Sequence, residues 1–213
     1  MCTEQNLEKE GYYMKPFGLT GNIGCGKSTV AALLSTYPDV LILDCDQIAK
    51  EVISSEVHRK EINHILGSDV FSNGKANFKA IAKIIFEEPD KKRLLEALLH
   101  PLVWSIVDQK VTEVGETKIC IVESAIIFET DTQSKFAAII VATCNVDEQF
   151  RRLRENRQMN DVQIQARLDQ QLPSSKKEQR AQFVIHTDCR LNQLKGRVYH
   201  LYHNLKQQKG VPS

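Results

Sequence analysis

Residues 21–28 read Gly-Asn-Ile-Gly-Cys-Gly-Lys-Ser, the G-x-x-x-x-G-K-[ST] spacing of a phosphate-binding loop, or P-loop. Each position has chemical work to do. Gly21, Gly24 and Gly26 allow backbone conformations closed to other residues. The N–H groups of Asn22, Ile23, Cys25 and their neighbours can then converge on phosphate oxygens. Lys27 supplies a point charge for the outer phosphates of ATP, and Ser28 a hydroxyl for Mg²⁺, with Thr29 following on the same turn. Three acidic positions add reactive groups. In Asp44-Cys45-Asp46, one carboxylate can orient or deprotonate an attacking hydroxyl while the other supports Mg²⁺ or its waters. Asp46 also has a plainer reading as the cap of a helix starting at Gln47, which leaves Asp44 without a role. Glu123 closes an apolar run, the place of a Walker-B-type carboxylate that orders Mg²⁺ water. Its plainer reading is a buried acid satisfied by neighbouring N–H groups. Arg151, Arg152, Arg154, Arg157 and Arg167 fall in one polar stretch. Such a cluster can close as a lid over phosphates and neutralise transition-state charge. It can equally form a solvated helix face paired with Glu148 and Glu155.

These groups need elements to hold them. Phe17–Thr20 reads as a short strand entering the P-loop, and 28–35 as a helix leaving it with its N-terminus toward the anion. Further apolar runs at 40–43, 118–122, 137–142 and 183–185 bring the strand count to five. They are continuous rather than alternating, which suits parallel strands covered on both faces. The expected fold is α/β: a doubly wound, five-stranded parallel sheet with helical insertions. Ligands bind such sheets at the carboxyl ends of the strands. The P-loop, Asp44/Asp46 and Glu123 all follow or close strand runs there.

Segments 16–46, 113–146 and 181–208 make the expected nucleotide-binding core. A long helical insertion over 47–112 carries a turn at Ser72-Asn73-Gly74 and an expected break at His100-Pro101. A second insertion, 147–180, is the expected lid; residues 1–15 read as a flexible leader, and a closing helix spans about 190–207.

The composition narrows the partners. The 213 residues are 42% hydrophobic and 26% charged, enough for a single sizeable domain with a proper core. A net charge of +1 gives no electrostatic case for nucleic acid or an anionic membrane. No apolar run reaches membrane-spanning length. The six cysteines show no C-x-x-C pair, which points away from zinc and disulfide frameworks and toward a cytoplasmic home. The expected state is a monomer or weak homo-oligomer acting on small molecules.

Five segments together resemble dephospho-CoA kinases, over about 16–204. GLTGNIGCGKST (18–29) is similar to the family's GLTGGIGSGKST, and DCDQIAKEV (44–52) to DAD..AREV. Ile85-Phe86 with LEALLHPLV (95–103) resembles LE..IHP.I, and ESAIIFE (123–129) resembles D.PLLFE. Gln149, Arg152, Leu153, Arg167, Leu168 and Gln171 follow the lid pattern Q..RL and RI..Q. The chain departs from the pattern at Lys50, Ala125, Asn156-Arg157, Gln182 and Thr187. The resemblance implies ATP-dependent phosphorylation of the ribose 3′-hydroxyl of dephospho-CoA, on a nucleotide core with a helical CoA-binding domain and a lid. It implies Asp46 as the base or hydroxyl-orienting group. Lys27 and Arg152 are the expected catalytic groups on the transferred phosphate and Arg157 the expected ATP-side group, with the arginine that reaches the γ-phosphate open among Arg152, Arg154 and Arg157. Ser28, Asp44 and Glu123 then serve Mg²⁺, and Asp46, Lys50 and His100 the acceptor. A shikimate- or gluconate-like kinase shares the P-loop and the carboxylate, but its acceptor needs no adenosine-sized pocket. A non-catalytic nucleotide-binding regulator is the remaining alternative.

Overall fold

A computed structural model of the protein describes residues 15–67 and 70–209, so most of the expected leader lies outside the described residues. The apolar runs form one five-stranded, all-parallel sheet: β1 (Phe17–Thr20), β2 (Val40–Asp44), β5 (Ile119–Glu123), β6 (Ile139–Thr143) and β7 (Phe183–His186), in the order β2-β5-β1-β6-β7. Alternate side chains serve two apolar layers, which is why the runs are continuous. Leu19, Ile121 and Ile140 face one layer with Val30 and Leu34 of α1 (Lys27–Leu34) and Val198 and Leu205 of α9 (Leu191–Gln208). Leu43, Val122 and Val141 face the other, shared with the helical insertion. Register aligns the functional ends: Asp44 lies opposite Glu123 between β2 and β5, and Leu19 opposite Glu123 between β1 and β5.

The insertion is built from α2 (Cys45–Ser54), α3 (Arg59–Leu66), a small hairpin of β3 (Phe71–Ser72) and β4 (Lys75–Ala76), α4 (Phe78–Glu87) and α5 (Pro89–Val114). The expected turn at 72–74 is the tip of that hairpin. Asn73 and Gly74 both have positive φ, as a two-residue type I′ turn needs. The expected break at His100-Pro101 does not occur: α5 runs through Pro101 for 26 residues. Leu95, Leu99, Val103, Val107 and Val111 form one buried stripe across the proline and hold both halves against the same core. Pro101 and Ala97 both lie on the exposed side, so water can take the carbonyl that the proline leaves unbonded. The second insertion comprises α6 (Val146–Arg157), α7 (Asp161–Leu168) and α8 (Ser174–Arg180). Asn145 caps α6, and Asn160 forms a capping box with Gln163 on α7.

Candidate active site

A cavity of about 670 Å³ opens at the carboxyl edge of the sheet. The P-loop forms its floor, Asp46 and Lys92 line it from the helical insertion, and Arg152, Arg157 and Arg167 line it from the second insertion.

The P-loop leaves β1 through Gly21 and enters α1 through Gly26. Both sites exclude a side chain. A Cβ on Gly21 would sit 2.2 Å from the Ala142 carbonyl oxygen, and one on Gly26 2.9 Å from Thr187 Oγ1, at a positive φ in each case. Gly26 is the N-cap of α1, so the free amides of that helix open beside Lys27 and Ser28. Cys25 points inward and is fully buried. A hydrogen bond with the Cys144 thiol lowers its pKa to about 7 against the opposing effect of burial, while the same contact raises that of Cys144.

Ser28 Oγ donates to Glu123 Oε1 at 3.2 Å, and Lys27 Nζ lies 3.5 Å from the same oxygen. Glu123 is buried, with a hydroxyl and a cation as its partners. Burial raises its pKa, Lys27 works against that, and Asp44 adds to it. The two aspartates separate by role. Asp44 is the N-cap: its Oδ1 accepts from the N–H groups of Asp46 and Gln47 at 2.8 and 3.1 Å, so α2 begins at Cys45 rather than Gln47. Asp46 does not cap the helix; it sits in its first turn and lines the cavity.

The arginines divide too. Arg154 pairs with Asp161 at 2.7 Å and Arg151 pairs with Glu148 and Glu155, all on the exposed face. Arg152 turns inward. It holds Glu148 at 2.7 Å and donates to Thr187 Oγ1 and the Thr187 carbonyl at 2.8 and 2.7 Å. Thr187 in turn donates to the Cys25 carbonyl at 2.8 Å, which links the arginine to the P-loop. Arg157 lines the cavity beside it. Lys50 and His100 are exposed and do not line the cavity.

Lys92, Gln170 and Thr187 line the cavity without having been singled out as site residues. Reading α5 as unbroken from its N-terminal proline would have put Lys92 in the opening turns of that helix, at the cavity wall. Thr187 directly follows β7, where the strand-end rule already points.

The family model described as dephospho-CoA kinase matches residues 16–193. The chain belongs to the dephospho-CoA kinase family. It is 33% identical over 180 residues to the dephospho-CoA kinase of Bdellovibrio bacteriovorus, covering 82% of this chain and 88% of that one. It is 31% identical over 193 residues to that of Hydrogenovibrio crunogenus, covering 89% and 98%. A crystal structure of a Thermus thermophilus protein superposes with a TM-score of 0.78 at 25% identity, covering 91% of this chain and 98% of the other. Membership of the dephospho-CoA kinase family sets aside the shikimate- or gluconate-like alternative.

Proposed function

We propose that the chain catalyses ATP-dependent phosphorylation of dephospho-CoA at its ribose 3′-hydroxyl, giving coenzyme A and ADP. The observation that carries this reading is the placement of Asp46 across one cavity from the P-loop lysine and serine. ATP lies with its phosphates on the loop amides and Lys27. The acceptor hydroxyl attacks the γ-phosphorus in line with the departing ADP oxygen. Asp46 orients that hydroxyl and takes its proton. Lys27, with Arg152 and Arg157 from the lid, neutralises charge on the transferred group. Arg152 is half-buried and already oriented by Thr187 and Glu148, so little reorganisation is needed.

Mg²⁺ fits the donor set. Ser28 and Glu123 offer hard oxygens beside Lys27, and Asp44 keeps its second carboxylate oxygen clear of the helix cap. No group of three or more His, Cys, Asp or Glu among the described residues could hold a metal. Mg²⁺ keeps several waters and takes few protein ligands, so these two or three oxygen donors suffice. Ser28 would hold it, with Glu123 and Asp44 ordering its waters; the chemistry it would supply is neutralisation of phosphate charge.

The substrate domain is the 47–112 insertion and the lid the 147–180 insertion, with Lys50 and His100 supporting acceptor binding from outside the cavity wall. The protein acts in the cytoplasm on small molecules, as a monomer or weak oligomer. The five cysteines among the described residues form no disulfide, which supports a reducing compartment. No helix among those residues is long and apolar enough to cross a membrane.

The test is the position of the new phosphate. Incubation with MgATP and dephospho-CoA, followed by mass spectrometry and phosphorus NMR, is expected to give a product identical to coenzyme A. A 2′-phosphate isomer, or ADP without a phosphorylated acceptor, would contradict the reading.

A further inference from the structure

Lys177 is the largest fully buried side chain of the protein's described residues, at 0% exposure, and the mechanism above gives it no work. A lysine is rarely buried so completely unless its charge is paired and its donors are used. Here Nζ donates to the Ala125 carbonyl at 2.8 Å and pairs with Glu129 Oε1 at 2.7 Å. Burial lowers its pKa, and Glu129 opposes that shift.

The contacts continue in both directions. Glu129 Oε1 also accepts from the Leu172 N–H at 2.9 Å. The Leu172 carbonyl accepts from Asn22 Nδ2 at 3.1 Å, and Gln171 Oε1 accepts from the Ile23 N–H at 3.0 Å. Asn22 and Ile23 open the P-loop. Ala125 and its neighbour Ile126 line the same cavity close to the carboxyl end of β5. The helix carrying Lys177 is fixed to the sheet by its next residue, because Thr143 Oγ1 donates to Glu178 Oε1 at 2.6 Å. A continuous polar chain therefore runs from the Ala125–Ile126 wall through Lys177, Glu129 and Leu172 to the donor-phosphate loop.

We infer that Lys177 is a positioning residue: it sets the Ala125–Ile126 wall, against which the acceptor rests, at a fixed distance from the P-loop. This rests on the phosphoryl transfer proposed above. Transfer between two bound substrates depends steeply on their separation, and a displacement of about 1 Å can cost about 10²-fold in rate. A buried charge whose partners span both substrate walls suits that task. It touches neither substrate, so its loss should reach the reaction through geometry.

The test separates positioning from stability. Lys177→Met alone strands Glu129, and breaking a buried pair in this way is strongly destabilising. Lys177→Met with Glu129→Gln removes both charges and leaves an acceptor for the Leu172 N–H. The double variant is expected to melt close to the wild type and to bind ATP within about threefold of it, while kcat for dephospho-CoA falls about 10–100-fold. Gln171→Met removes the parallel tie between the same loop segment and the Ile23 N–H, and is expected to lower kcat in the same direction. A double variant that recovers wild-type kcat together with its stability would make Lys177 a structural ion pair only. If the double variant does not fold, Gln171→Met decides: an unchanged kcat overturns the proposal, and a lowered one supports it. A wild-type protein that fails to phosphorylate dephospho-CoA would sink the parent reading instead, and that outcome shows before any variant is made.

Discussion

Asp44 and Asp46 are separated by Cys45 alone and have different tasks because a helix starts between them. Asp44, at the end of β2, spends Oδ1 on the first free amides of α2. Asp46, one step into the helix, is turned to the cavity. Substitution should separate the two roles. Asp44→Ala is expected to lower stability by about 0.5–2 kcal/mol through the lost cap, seen as an earlier denaturant midpoint. Asp46→Asn is expected to melt near the wild type and retain ATP, while kcat drops about 10²–10⁴-fold, the scale of a lost general base. Equal turnover in Asp46→Asn would remove it from the chemistry. The D-x-D was legible because two carboxylates after a strand are hard to explain otherwise. The assignment of the cap was not, since it turns on whether the helix starts at Cys45 or Gln47, a boundary that side-chain geometry decides. Thr187 was visible only as a departure from the family pattern; its role depends on Arg152 and Cys25, which lie 35 and 162 residues away in sequence.

Among the elements, α5 shows how packing overrides a local signal. A proline within a helix removes one hydrogen bond and costs about 3 kcal/mol, which led to the expected break. The stripe from Leu95 to Val111 outweighs it. Restoring the missing N–H should therefore help: Pro101→Ala is expected to raise stability by about 1–3 kcal/mol in denaturant unfolding. A loss of stability would mean instead that the local geometry at the proline is needed for α2 and α5 to pack. In α6 the decisive feature is charge. Hydrogen bonds from Arg151 first, then Arg152, lower the Glu148 carboxyl pKa from an ordinary 4.5 to about 2. Because the folded pKa lies below the unfolded one, this contribution is fully present above about 4.5 and is lost as pH falls toward about 2. A melting series across that window should show a shallower acid decline in Glu148→Gln than in the wild type. Identical slopes would place the acid sensitivity elsewhere.

For the whole molecule, two apolar layers around one sheet bring the ends of β1, β2 and β5 to a single edge and close two helical insertions over it. The sheet was readable because strands buried on both faces appear as unbroken apolar runs. The hairpin at 71–76 was not, since two-residue strands carry no periodicity and only Asn73-Gly74 marked the turn. The Lys177 chain was hidden for a related reason: a lysine in a polar helix reads as surface until its partners, 48 and 52 residues earlier in the chain, are in place. The account comes together in one reaction, and the most direct measurement is acceptor-dependent ADP release with MgATP and, in parallel, dephospho-CoA, adenosine or shikimate. The account predicts release with dephospho-CoA alone, with one coenzyme A formed for each ADP. Release driven by shikimate, or ATP binding with no acceptor-dependent release at all, would contradict it.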